Sequence, residues 1–75
     1  MIIRNGRDLK RARKTLGWTI NDLAYSLRLS AGTGNRTLRR MEAGDNHVTG
    51  PIAVATEAFL SGFIPEQISS EEDYD

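Results

Sequence analysis

The chain has 75 residues, no cysteine, and ten Lys plus Arg against ten Asp plus Glu, for a formal net charge of zero. That size allows one domain burying about 60% of its unfolded surface, which leaves little room for a deep substrate pocket. The absence of cysteine excludes a disulfide framework, a thiolate metal site and a cysteine nucleophile. The zero hides a split: residues 1–40 hold all ten cations and two acids, for +8, and residues 41–75 hold eight acids and no cation, for −8.

In chain order, Asn5 followed three positions later by Asp8 predicts a helix start. Leu9, Ala12, Arg13 and Leu16 then share one face, and Gly17 suits a left-handed C-terminal cap, so a first helix is expected over 6–16. Trp18 reads as a core wedge. Thr19 and Asp22 repeat the capping pattern, and Ile20, Leu23, Ala24 and Leu27 make the next apolar stripe, predicting a second helix over 20–27. Residues 30–34, Ser-Ala-Gly-Thr-Gly, read as a loop. Asn35 to Ala43 read as a third helix, with Leu38 and Met41 inward and Gly44 as its stop. Thr49 and Pro51 open a fourth, whose expected apolar face is Ile52, Ala55, Ala58 and Phe59 and whose stop is Gly62. Residues 65–75 read as an acidic, mobile C-terminal tail.

The third helix is strongly basic. With Leu38 and Met41 inward, Asn35, Arg36, Arg39, Arg40 and Ala43 share its outer side. A helix fits the major groove of B-DNA, where Arg bonds guanine and Asn bonds adenine in a bidentate way. The competing reading is a solvated basic face. The N–H groups opening the second helix suit an anion, which makes Thr19 and Asn21 candidates for phosphate contact. Simple capping by Thr19 competes with that role and is compatible with it.

The run Leu9-Lys10-Arg11-Ala12-Arg13-Lys14-Thr15-Leu16-Gly17 resembles the first helix of lambda-repressor/Cro-like DNA-binding domains. Leu23-Ala24 with Leu27 resembles their second helix. Thr37-Leu38-Arg39-Arg40-Met41-Glu42-Ala43-Gly44 resembles their recognition helix, and Gly50-Pro51 the entry to the next. The resemblance covers residues 6–62. It implies an all-α bundle of four or five short helices containing a helix-turn-helix over residues 1–64. It implies base contacts from Asn35, Arg36 and Arg40, with Arg39 serving bases or phosphate. It implies backbone contacts from Thr19, Asn21 and Thr37, to which Arg28 and the Gly32–Gly34 loop are added as neighbours of a strand. It also implies a partly buried ion pair between Arg13 and Glu42. Two departures stand out: Arg28 occupies the place of a glycine, and three or four extra residues before Thr37 predict a longer turn.

The function expected is sequence-specific binding of double-stranded DNA by a small repressor-type transcriptional regulator of phage or prophage kind. No effector domain is expected in a chain of this length. The alternative is a protein-interaction module, such as an antitoxin, that keeps the fold. One side of the set Phe59, Leu60, Phe63 and Ile64 is expected in the core; two readings stand for the remainder, a homodimer contact or a cap in which all four cover the core. No Ser/His/Asp arrangement or P-loop is present, and the lone His47 is a poor metal site. No enzyme activity, cofactor, metal or small-molecule substrate is therefore expected. The longest apolar run, Ile52 to Ala55, is too short for a bilayer, and the start lacks a secretory signal. A soluble cytoplasmic protein is expected, whose acidic tail competes with DNA for the basic face.

Overall fold

A computed structural model describes residues 1–63. Among the described residues there are four helices and no strand: α1 (Gly6–Leu16), α2 (Ile20–Ser26), α3 (Ala31–Ala43) and α4 (Gly50–Leu60). The protein is all-α. The expected tail over 65–75, and Ile64, lie outside the described residues.

Local chemistry sets most helix ends. At α1 the Asn5 side chain accepts from Asp8 N at 2.9 Å, and the Asp8 carboxylate accepts from Arg4 N at 3.0 Å. At α2 the capping box is reciprocal: Asp22 N donates to Thr19 Oγ1 at 3.1 Å, and Thr19 N donates to Asp22 Oδ2 at 2.9 Å. The bonds at Asp8 N, Asp22 N and Thr19 N satisfy N–H groups that a helix start leaves without a backbone partner, and the bond from Arg4 N ties the preceding residue to the same turn. Thr49 caps α4, which has Pro51 in its first turn. Gly17 and Gly44 end α1 and α3 in the left-handed conformation, at φ 77° and 90°. The second helix stops one residue short of its expected end, with Leu27 as its C-cap.

The stretch expected as a loop, residues 30–34, is helical. Helix α3 begins at Ala31 rather than Asn35, and the connection from α2 is residues 27–30. The extra residues lengthen the helix by a turn; they do not lengthen the connection. The physical reason is packing. A Cβ at Gly34 would lie 2.6 Å from the Leu29 Cβ and 3.6 Å from the Ala24 Cβ. A residue without a side chain lets the start of α3 lie against the exit of α2, which outweighs the cost of about 1 kcal/mol for glycine in a helix. Gly34 N donates to Ser30 O at 2.7 Å, continuing the helical bonding through this turn. The chain reverses at Arg28, whose φ of 63° is the one positive value at a non-glycine among the described residues. Holding an L-residue there costs about 1–2 kcal/mol.

The core is built from every helix: Leu9 and Ala12 from α1, Leu23 and Ala24 from α2, Leu38 and Met41 from α3, Ala53 and Phe59 from α4. Leu38 and Met41 point inward, as their spacing predicts. The fourth helix is rotated from its expected face. Ala53, Thr56 and Phe59 are buried, whereas Ile52, Ala55 and Ala58 are only half-buried. Its sequence is apolar around most of its circumference, so periodicity does not single out one face. The Thr56 hydroxyl enters the core because it donates to Ile52 O at 2.8 Å and so is not stranded. Trp18 stacks on Phe59 with ring centroids 5.4 Å apart and planes at 58°.

Two long-range contacts lock the bundle. Ile3 is buried ahead of α1, and its N–H donates to Glu57 Oε2 on α4 at 2.8 Å. Gly6 lies so close to α3 that a Cβ there would sit 1.8 Å from Met41 O. The first turn of α1 and the last turn of α3 therefore meet backbone to backbone. No described helix is long and apolar enough to cross a membrane.

Candidate functional site

With Gly34, Leu38 and Met41 buried, α3 turns Gly32, Arg36, Arg39, Arg40 and Ala43 to solvent. Arg36, Arg39 and Arg40 lie at i, i+3 and i+4, so their side chains are neighbours over one turn. Together with Asn35 they line a shallow concavity of about 560 Å³, with Gly32 at its N-terminal end and Asp45 at its C-terminal end. Among the described residues none of the three arginines has an ion-pair partner. The concavity can therefore accept a polyanion, which would relieve the mutual repulsion of the cations.

Asn35 is placed differently from the arginines. It is half-buried, and its amide Nδ2 donates to Asn21 Oδ1 on α2. Its own Oδ1 is buried and has no hydrogen-bond partner among the described residues. The structure thus joins one residue expected at bases to one expected at the backbone. The other backbone candidates are spread out. Thr19 is exposed, but its hydroxyl and N–H are both engaged in the capping box with Asp22. Arg28 is exposed at the reversal between α2 and α3, and Thr37 is half-buried on the side of α3 nearer the core. Thr19, Arg28 and Thr37 do not line the concavity of α3.

Glu42 is the one acid within α3, and the fold turns it away from this face. Arg13 Nε donates to Glu42 Oε2 at 2.7 Å and Arg13 Nη2 donates to Oε1 at 3.0 Å. The two side chains are only 12% and 8% exposed. Arg13 Nη1 also donates to Trp18 O at 2.9 Å, so one guanidinium ties α1, α3 and the α1–α2 connection together. The hydrogen bond to Glu42 raises the Arg13 pKa above its ordinary value; burial opposes this and the Glu42 charge adds to it.

Reading the sequence as a loop at 30–34 overlooks the structural role of Gly34. A usable signal is present: Ala31, Gly34, Leu38 and Met41 continue one small-or-apolar stripe at helical spacing. Ile3 is also overlooked, although Ile2-Ile3 is an apolar pair in an otherwise basic stretch. The Asn21–Asn35 contact has no sequence signal. His47 is exposed in the loop before α4. Among the described residues, no three His, Cys, Asp or Glu side chains gather as a metal site. No protein-family model, curated protein or solved structure matches the chain.

Proposed function

We propose that the protein binds duplex DNA by laying α3 in the major groove, as a helix-turn-helix transcriptional regulator resembling the lambda-repressor/Cro type. The observation that carries this reading is the outer face of α3: three adjacent exposed arginines on a helix whose other side is locked in the core. At 1.5 Å per residue its thirteen residues extend about 20 Å, enough to lie along a groove about 12 Å wide. Residues 1–63 carry ten cations against five acids, a net +5, which favours a phosphate surface. The four-residue connection packs α2 against α3, an arrangement that suits a first helix crossing the backbone and a second helix lying in the major groove. Because α3 starts a turn early, its tip presents Gly32 and Thr33, and Arg36, Arg39 and Arg40 follow deeper along the groove. Asn35 exchanges its bond with Asn21 for a base edge if it reads one.

Selection from a random duplex pool tests the reading directly, and an enriched, palindromic sequence is expected. Log affinity should fall with log salt at a slope of about −5 to −9 if a dimer neutralises six to ten phosphates. No enriched duplex together with a flat salt response overturns the proposal. Arg40→Ala should relax preference at one base pair, at a cost of about 1–3 kcal/mol against the preferred base.

A second reading has its own observation. Val54 on α4 and Phe63 just beyond it are 64% and 62% exposed, and Glu57 is the one charged residue of α4. Such a surface suits a protein partner, either a second copy that pairs two DNA half-sites or the target of an antitoxin-like module. Sedimentation with and without an operator duplex separates these. A chain that stays monomeric on DNA removes the second copy from the mechanism.

A further inference from the structure

The strongest charge feature outside α3 is the outer face of α1. Arg7, Lys10, Arg11 and Lys14 are all exposed and line, with Thr15, a second shallow concavity of about 440 Å³. It shares no residue with the concavity of α3. The four cations fall at i, i+3, i+4 and i+7, so each has a like-charged neighbour within a turn, an arrangement that destabilises a helix. Among the described residues none of the four has an ion-pair partner. The acid of α1, Asp8, is engaged with Arg4 N. The α3 concavity has Asp45 on its rim, whereas the lining of the α1 concavity includes no acid.

The negative charge that complements this stripe lies in the same chain. Glu66, Glu71, Glu72, Asp73 and Asp75 follow Phe63 with no Lys or Arg among them, a charge of −5. They follow α4, which packs on α1, and Phe59 near the end of α4 stacks on Trp18 just past the end of α1. Glu71 to Asp75 are eight to twelve residues beyond Phe63. Eight residues of chain reach at most about 26 Å, more than the 10–12 Å width of a helix with its side chains. The chain between Phe63 and the acidic cluster is therefore long enough to span from the end of α4 to the outer side of α1.

We propose that the basic stripe of α1 is an internal docking surface, and that its occupant is the acidic segment 66–75 of the same chain. The contact is electrostatic and therefore loosens with salt. It stands on α1 and the segment alone and does not depend on DNA binding by α3. Should α3 bind DNA, the docked segment neutralises the charge of α1 and leaves the arginines of α3 uncovered.

The absence of native cysteine permits a clean test. A nitroxide is attached to the full chain at Ser70→Cys, and amide signals are followed by nuclear magnetic resonance. The expected result at about 0.02 M salt is loss of the amide signals of residues 7–14 while those of 36–40 persist, with recovery at about 0.5 M salt, where screening acts within a few ångströms. The same recovery is expected in the full chain carrying Glu66→Gln, Glu71→Gln, Glu72→Gln, Asp73→Asn and Asp75→Asn. It is also expected when Arg7, Lys10, Arg11 and Lys14 are replaced by Gln; all four are exposed, so the core is untouched. Several results overturn the proposal: signal loss centred on 36–40, equal loss on both helices, no loss at all, or loss that survives neutralisation. Loss of the same signals when spin-labelled protein is mixed with isotope-enriched protein that carries no nitroxide overturns it as well, since the occupant is then a second copy.

Discussion

The two ends of α3 are held in different ways. At the C-terminal end, Gly6 packs against Met41 O, Arg13 grips Glu42 with two hydrogen bonds, and Gly44 closes the helix in a left-handed cap. At the N-terminal end there is one close approach, Gly34 against Leu29, and Ser30 makes no side-chain capping bond. The C-terminal half is thus fixed to α1 by backbone contact and charge, and the N-terminal half rests on α2 by shape and by the single hydrogen bond from Asn35 to Asn21. An exposed face anchored at one end presents Arg39 and Arg40 in a set orientation, while the uncapped end is the part free to adapt to a partner.

Substitutions at both ends test that contrast, beginning with the largest expected effect. Gly6→Ala drives a methyl into a backbone carbonyl that cannot swing aside. A loss of about 3 kcal/mol or more is expected in urea unfolding, close to the whole stability of so small a domain. Glu42→Ala strands the Arg13 guanidinium and should cost about 2–3 kcal/mol by the same measurement, with Glu42→Gln losing less because it keeps an acceptor. Because the Arg13 pKa is raised, its contribution is fully present below the ordinary arginine value and is lost only as pH climbs through the folded value; stability curves near neutral pH should show no slope from it. Gly34→Ala should destabilise by about 1–2 kcal/mol, the clash with the Leu29 Cβ exceeding the gain in helix propensity. Gly32→Ala has open space around the added carbon and should stabilise by about 0.5–1 kcal/mol. If Gly32 and Gly34 respond alike, the N-terminal half of α3 is not seated on α2 in this way. If Gly34→Ala costs as much as Gly6→Ala, the two ends are equally fixed and the contrast fails.

Much of the helical layout is legible in the sequence because it rests on contacts within four residues. The caps at Asn5, Thr19 and Thr49 and the stops at Gly17 and Gly44 are local hydrogen-bond chemistry, so spacing alone finds them. The inward pair Leu38 and Met41 follows from helical period. The rotation of α4 does not, since its apolar residues surround the helix and only α1 and Trp18 choose which side is covered. Likewise the basic residues of α3 are visible as a group, but the Asn21–Asn35 contact, which occupies Asn35, links two helices that sequence cannot place side by side.

The sequence by itself determined that this chain is helical, where three of its four helices start, and that its positive charge gathers before residue 41. Tertiary structure decided the rest through distances between segments remote in the chain. A two-glycine stretch became the first turn of α3 because Gly34 needed to touch Leu29. Glu42 left the basic face because Arg13, 29 residues earlier, took it up. Propensity and capping are local energies of about 1 kcal/mol each, and a close backbone approach or a partly buried ion pair exceeds them wherever the two disagree.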